Sequence, residues 1–388
     1  MEMRGVSALS SLFINVSNII SPYCYSIFKA EPYTDCYFKC TYCYGRWYRR
    51  DLGLKPNYQV LRILERVLRK TRKQNITLMP IRLSTLTEPF QPIEERYRIS
   101  LKILKLSYKY KQPIIINSKG ILAVKEPWIT EIKKLSDEGL LIYQVSISTL
   151  NDKYLAILEP NAPHPLNRLE VASKLADIGV PVTIRLSPFI PEIVSDEIDR
   201  LIDVMVNIGA KQLIIESLRL PVNEIQSLYS KLNLKVPKLE RYSISGNGLL
   251  RHDLNIRMQF YREIRKYLDR VNIKLSFCKE GIYNLQSAED CCGIYMLRNG
   301  VRRVTLYEIY KYVRDKGEIS ISDLDLIYKY YYDRGYLDPS RLVGLPRYVR
   351  KPINYHHKRL TAILRDQLIL SKVSPILRIE NEKIRISN

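Results

Sequence analysis

Three of the chain's seven cysteines, Cys36, Cys40 and Cys43, fall within eight residues in the run DCYFKCTYCY. Thiolates spaced C-x3-C-x2-C lie too close together in sequence to suit a disulfide framework, and seven is an odd count. Metal binding in a reducing, cytoplasmic setting fits better. Structural zinc takes four protein ligands, commonly as two separated C-x2-C pairs. Here there is one compact triplet with no histidine beside it. A [4Fe–4S] cluster is also held by thiolates, usually one per iron. Three thiolates leave one iron open to a substrate or cofactor. The alternative is a zinc loop completed by distant residues.

A loop of this kind needs a scaffold, and the middle of the chain supplies one. Short apolar runs alternate with amphipathic helical runs, as βα repeats require. ITLMPIRLST (76–85), PIIINS (113–118), LIYQVSIST (141–149), VPVTIRLSP (180–188) and KQLIIESL (211–218) read as strands. A first strand is expected near 26–32, and helices near 57–73, 93–111, 125–138 and 168–179, with another in DEIDRLIDVMVNIG. Nearly continuous apolar strands suit a parallel sheet covered by helices. The expected fold is α/β, a partial parallel (β/α)6 barrel of the TIM type. Its chemistry belongs at the C-terminal strand ends, the face on which the cysteine run lies. The expected divisions are a packed N-terminal segment (1–25), the barrel core (26–235), a basic helix with a cysteine segment (236–300) and a basic helical or winged-helix-like module (301–388).

The chain of 388 residues carries a net charge of +22, which favours a polyanionic partner such as nucleic acid. Two clusters interleave cations with aromatics, a pattern suited to phosphate contact and base stacking. One is Arg46, Trp47, Tyr48, Arg49 and Arg50, directly after the thiols. The other spans 347–365, with Arg347, Arg350, Lys351, Lys358 and Arg359 among Tyr348, Tyr355, His356 and His357. No stretch is apolar enough over about 18 residues to span a membrane.

C-x3-C-x2-C with an aromatic residue before the last cysteine resembles the signature of the radical S-adenosylmethionine (SAM) superfamily. PYTDCYFKCTYCYGRWY, LSTLTEPFQPIEERYRIS, INSKG, VSISTLNDKYLAILEPNAPHPLNRLE and VTIRLSPFIPEI are similar, in order, to segments of its spore photoproduct lyase-like branch. The resemblance covers roughly residues 28–220. The resemblance implies a [4Fe–4S] cluster on Cys36, Cys40 and Cys43. It also implies SAM on the open iron, an electron-donating redox protein, and hydrogen abstraction by a 5′-deoxyadenosyl radical. It places Tyr42 against adenine, Thr87 and Glu88 at the SAM ammonium, Lys119 at its carboxylate, Ser146 and Ser148 at its ribose, and Arg185 in the same cavity. Where the lyase has its hydrogen-donating cysteine, this chain has Thr85, so dimer-cleaving activity is in doubt.

The segment FCKEGIYNLQSAEDCCG adds Cys278, Cys291 and Cys292, and Cys24 stands alone. These thiols could form a second metal site, supply the hydrogen donor missing at Thr85, or be inert and buried. The expected activity is hydrogen abstraction from DNA or RNA, as in DNA repair or RNA modification. The alternatives are a radical SAM enzyme acting on a protein or small molecule, and a non-catalytic Fe–S nucleic-acid-binding protein.

Overall fold

The structure, a computed structural model, describes residues 12–49, 52–242 and 248–387. Arg50 lies outside the described residues. Six strands arise from the expected runs: β1 (Lys29–Ala30), β2 (Ile81–Leu83), β3 (Ile114–Ser118), β4 (Leu141–Ile147), β5 (Val182–Phe189) and β6 (Gln212–Ser217). They pair in chain order, each parallel to the next. Beyond them lie β7 (Leu220–Pro221), β8 (Leu239–Arg241) and β9 (Leu249–His252), a small antiparallel sheet in the order β7-β9-β8. A seventh barrel strand, β10 (Lys274–Phe277), runs parallel to β6. The barrel therefore reaches past the boundary expected at residue 235 and takes its last strand from the cysteine segment.

Strand periodicity sorts the barrel's two faces. Ile114 and Ile116 of β3 join the main core with the surrounding helices, whereas Ile115 belongs to a second core built largely from the C-terminal region. The helix Tyr58–Lys73 illustrates the outer layer. It buries Val60, Ile63, Leu64, Val67 and Leu68 at helical spacing and is capped by the Asn57 side chain on the Val60 amide.

The single helix expected over 93–111 is broken into Glu94–Tyr97 and Ile99–Lys109 at Arg98, whose φ is 53°. The buried Glu94 carboxylate explains the break. It accepts the Ser100 and Leu101 amides, each at 3.0 Å, and the Trp128 indole N–H at 2.8 Å. A side chain that caps the next helix cannot sit inside a continuous one.

The C-terminal region runs helix Leu306–Lys316, β11 (Ile319–Ser320), helix Leu324–Tyr332, helices Arg347–Ile363 and Gln367–Val373, then a hairpin of β12 (Leu377–Glu380) and β13 (Lys383–Ile386). The hairpin adds to β11 in the order β11-β13-β12, a winged-helix-like arrangement. Residues 12–25 are stitched to this region as well as to the barrel. The Arg303 guanidinium donates to the Cys24 and Ser21 carbonyls, and His356 bonds Ser21 and the Ile14 carbonyl.

The β7-β9-β8 sheet is fastened to the barrel through Glu280, whose side chain has no exposure. It faces Arg219 at 2.7 Å, Arg251 at 3.2 Å and Arg257 at 2.5 Å. Removing one partner from a buried ionic group leaves its counter-charges uncompensated. We expect Glu280→Gln to lower unfolding free energy by about 3–5 kcal/mol, read from urea titrations. An unchanged midpoint would contradict the assignment of Glu280 as the fastening group.

Candidate active site

The cysteine loop leaves the C-terminal end of β1 and is braced from both sides. Asp35 accepts the Cys36 amide at 2.8 Å and pairs with Arg49 at 2.9 Å. Gln91 accepts the Tyr37 amide at 2.7 Å and donates to the Asp35 carbonyl at 3.0 Å. The Thr41 amide reaches the Leu158 carbonyl at 3.0 Å. A Cβ on Gly45 would lie 2.7 Å from the Leu86 carbonyl oxygen and 3.2 Å from the Cys43 sulphur, so the chain can pass here only as glycine. Cys36, Cys40 and Cys43 are all half-buried and free.

Among the described residues, no three His, Cys, Asp or Glu side chains are grouped to hold a single metal ion. A cube that takes one thiolate per corner does not require three thiolates on one ion. Cations also stand ready for an anionic thiolate set. The Arg49 guanidinium is 3.8 Å from the Cys43 sulphur. Burial pushes the Cys40 thiol up to about 12, with Lys119 pulling the other way. The donor set and its charge environment fit a thiolate-held cluster.

Lys119 lies at the centre of the adjoining site. Its ammonium is 2.9 Å from the Ser146 hydroxyl, 3.8 Å from Glu159 and 5.6 Å over the Tyr42 ring. Glu159 also accepts the Tyr42 hydroxyl and pairs with Arg168, which in turn donates to the Ser146 carbonyl at 3.0 Å. The structure thus brings together Tyr42, Lys119 and Ser146 from three separate segments. Ser148 shares the Ser146 face of β4 and its extension. The Ser148 Oγ and the Asn117 Oδ1 are buried without a hydrogen-bond partner among the described residues. Unpaired buried polar atoms at strand ends suit a polar ligand that would satisfy them.

Several expected contacts take a different form. Both oxygens of Glu88 are already engaged, by the Phe90 and Lys119 amides and the Ser118 hydroxyl, so Glu88 shapes the β2 and β3 ends. A Cβ on Gly120 would lie 3.0 Å from this carboxylate and 2.6 Å from the Phe90 carbonyl oxygen. The Thr87 hydroxyl is bonded to Ser84 at 2.8 Å, and the Thr85 hydroxyl donates to Glu31. Glu31 gathers the Thr85 and Leu86 amides and the Ser84 hydroxyl as well. Thr85 is therefore committed to a turn. Nothing in the sequence singled out Glu31, since a lone Glu after a short strand carries no spacing signal.

Arg185 points inward but is spent on protein partners. It pairs with Glu216 and donates to the Cys278 sulphur at 3.1 Å. Glu216 also holds Lys279 at 2.9 Å and Arg219 at 3.0 Å, and the Lys279 ammonium lies 5.4 Å over the Tyr44 ring. This chain of contacts joins the cysteine loop to the C-terminal cysteines. On the far side of those cysteines, Arg82 donates to the Cys292 sulphur at 2.7 Å, and the Cys291 and Cys292 sulphurs are 3.6 Å apart. The structure does not show the second metal expected near Cys278, Cys291 and Cys292; the Cys278 and Cys292 sulphurs there each accept from a guanidinium, Arg185 and Arg82.

The two basic clusters separate. Arg46 pairs with Glu224, and Arg49 is largely buried against Asp35 and the Leu86 carbonyl, so both brace the loop. Arg350 donates to the Leu345 carbonyl and Arg359 to Asn18. Arg347, Lys351, Tyr355 and Lys358, spaced by four, four and three, line the exposed face of their helix, with Lys351 5.3 Å over the Tyr355 ring. No helix among the described residues is long and apolar enough to cross a membrane.

Residues 30–205 match the Radical SAM superfamily. An uncharacterized protein, ORF301, of Acidianus two-tailed virus is 27% identical over 204 residues, which is 47% of this chain and 64% of that relative. The match thus spans less than two thirds of the viral protein. A structure of a spore photoproduct lyase mutant with dinucleoside spore photoproduct shares 11% identity at a TM-score of 0.50, over 71% of this chain and 86% of its own. Streptococcus suis SuiB bound to S-adenosylmethionine shares 17% identity at a TM-score of 0.43, over 67% of this chain and about half (51%) of its own. At 11% identity the lyase structure speaks to fold alone, and nothing is argued from the likeness to SuiB.

The buried carboxylates set an acid limit. Burial would raise Glu159, but Lys119 and Arg168 outweigh it and hold its carboxyl below the ordinary 4.5. Burial likewise opposes the lowering of Glu216 by Lys279, Arg185 and Arg219, and again the cations prevail. A carboxyl lowered in the folded state contributes stability above its unfolded value and loses it as pH falls through the folded one. We expect urea midpoints to hold from neutral pH to about 5 and to fall steeply below about 4.5, less steeply in Glu159→Gln. A flat acid profile would contradict this electrostatic account.

Proposed function

We propose that this chain, whose residues 30–205 match the Radical SAM superfamily, is a radical SAM enzyme that abstracts a hydrogen atom from a nucleic-acid substrate. The domain implies a [4Fe–4S] cluster and SAM. The observation carrying the reading is the meeting of Lys119 with Ser146 and with Tyr42 of the cysteine loop at the C-terminal strand ends. In this reading Cys36, Cys40 and Cys43 hold three irons. When bound, the cluster and SAM supply a carbon-centred radical strong enough to break an unactivated C–H bond.

The chain's own residues would bind, orient and shield. Lys119 offers its ammonium to the SAM carboxylate, a point charge suited to an anion. Ser146 and the unpaired Ser148 offer hydroxyls to the ribose, and the half-buried Tyr42 ring offers a face to adenine. Glu88 and Thr87 hold the β2 end that presents backbone groups to the ammonium. A site walled by the strand ends and the cysteine loop would help to keep water from the radical.

Support for a nucleic-acid substrate comes from the net charge of +22 and from the stripe Arg347, Lys351, Tyr355 and Lys358. None of its three cations has an ion-pair partner among the described residues. The exposed rings of Tyr44, Trp47 and Tyr48 beside the thiols add stacking surface.

Two measurements check the proposal. Protein reconstituted with iron and sulphide without oxygen, then given SAM and dithionite, is expected to release 5′-deoxyadenosine, and Cys40→Ala to release none. Absence of the product from wild-type protein would overturn the catalytic reading. Oligonucleotide binding by fluorescence anisotropy is expected to weaken with salt. In Arg347→Ala/Lys351→Ala/Lys358→Ala the log–log salt slope should flatten by roughly 0.9 for each phosphate that is no longer neutralised. Salt-independent or absent binding would refute the nucleic-acid assignment.

A further inference from the structure

Charge does not balance around the ends of β5, β6 and β10. Glu240 and Glu280 answer Arg251 and Arg257. Arg219 also reaches Glu280, at 2.7 Å, but that carboxylate is already shared. Arg185, Arg219 and Lys279 are then left to the single carboxylate of Glu216. Arg185 takes its Oε2, while Lys279 and Arg219 take Oε1 at 2.9 and 3.0 Å. Two positive charges are in excess among the described residues. A thiolate on Cys278, which accepts from Arg185, would answer one of them and leave the other. Recessed charge of one sign is costly unless something compensates it.

The three cations are recessed without being sealed, at 9% side-chain exposure for Arg185, 10% for Arg219 and 14% for Lys279. Arg185 donates through Nη2 alone, to Glu216 and Cys278, so its Nη1 and Nε have no partner among the described residues. The Lys279 ammonium meets only Glu216 and the ring of Tyr44, the residue after Cys43. Lys279 also holds a φ of 62°, the left-handed region that a lysine seldom adopts. Backbone kept in that region gathers at ligand clamps. Tyr44 follows β1 and Lys279 follows β10, so their contact links the two ends of the strand order.

We propose that Arg185 and Lys279, backed by Arg219, form a subsite for one backbone phosphate of the nucleic-acid substrate. This rests on the reading above and deepens it, by naming where the substrate's charge is held. A phosphodiester carries the one negative charge that the cluster lacks even with a Cys278 thiolate. The free N–H groups of Arg185 suit two phosphate oxygens, and Lys279 adds a point charge. A phosphate fixed there leaves the adjoining nucleoside beside the cysteine loop, while Lys119, after β3, stays with SAM. The exposed stripe of Arg347, Lys351 and Lys358 attracts the polymer in general; this subsite sets the register of one nucleotide. Arg185 thereby serves the substrate rather than the cofactor.

The probes are the dinucleotides TpT and UpU, each with one phosphodiester, and their neutral methylphosphonate analogues. Calorimetry follows their titration into resting protein without SAM. At least one dinucleotide is expected to bind, and its methylphosphonate roughly tenfold more weakly. Lys279→Met should weaken the dinucleotide by a similar factor and leave the methylphosphonate unchanged, whereas Lys279→Arg retains binding. Arg185 and Arg219 still answer Glu216 in Lys279→Met, and the wild-type comparison needs no variant at all. Equal binding of dinucleotide and methylphosphonate, or binding of neither, would overturn the subsite. So would equal weakening of both by Lys279→Met, the mark of a structural role, or Lys279-dependent binding of an N-acetylglutamyl peptide in their place. Release of 5′-deoxyadenosine by the reconstituted protein is measured separately. Product from protein indifferent to the phosphate charge removes the subsite and leaves the radical SAM reading. Charge-selective binding without product removes that reading and leaves a phosphate site with no such reaction to serve.

Discussion

A carboxylate with no exposure holds the site together. Glu159 accepts Tyr42 from the cysteine loop, faces Lys119 from the end of β3, and pairs with Arg168 on the helix behind β4. Each partner comes from a different βα unit, so one side chain sets the spacing between loop, strand end and helix. Burying such a charge is costly unless every partner is present. The arrangement is therefore all-or-none, which suits a site whose ligands must be held in fixed relation.

The same logic extends across the barrel. Its interior is not a plain apolar core, because Arg82, Arg185, Glu216 and Lys279 meet there with the Cys278 and Cys292 thiols. Hydrophobic residues of similar volume would stabilise the fold at least as well. One set of contacts, from Cys43 through Tyr44, Lys279, Glu216 and Arg185 to Cys278, links the two cysteine groups. The lower interior is filled by Cys292 and Ile294 of the C-terminal region, packed in one core with Ile115 and Ile142.

Much of this was legible in the residues. Apolar runs marked β2 to β6 because strands buried on both faces carry a continuous signal, and the thiol spacing stood out against a cysteine-poor chain. What escaped the reading depends on distant partners. β10 lies in the run VNIKLSF (271–277), and its place in the barrel rests on a pairing with β6 across more than sixty residues. The break at Arg98 follows from Glu94 capping the next helix, a contact that no helical periodicity reports. Arg49 and Arg46 looked like a docking patch because sequence shows cations but not the Asp35 and Glu224 that neutralise them. Arg82 carried no signal, since its partner Cys292 lies two hundred residues away.

The central claim is that three thiolates leave one corner of an iron–sulphur cube for a cofactor. Mössbauer spectroscopy of anaerobically loaded, iron-57-enriched protein addresses it most directly. The account predicts four irons per chain, with one site changing its parameters when SAM is added while the other three stay as they were. Four equivalent irons indifferent to SAM, or a zinc-filled loop, would contradict it.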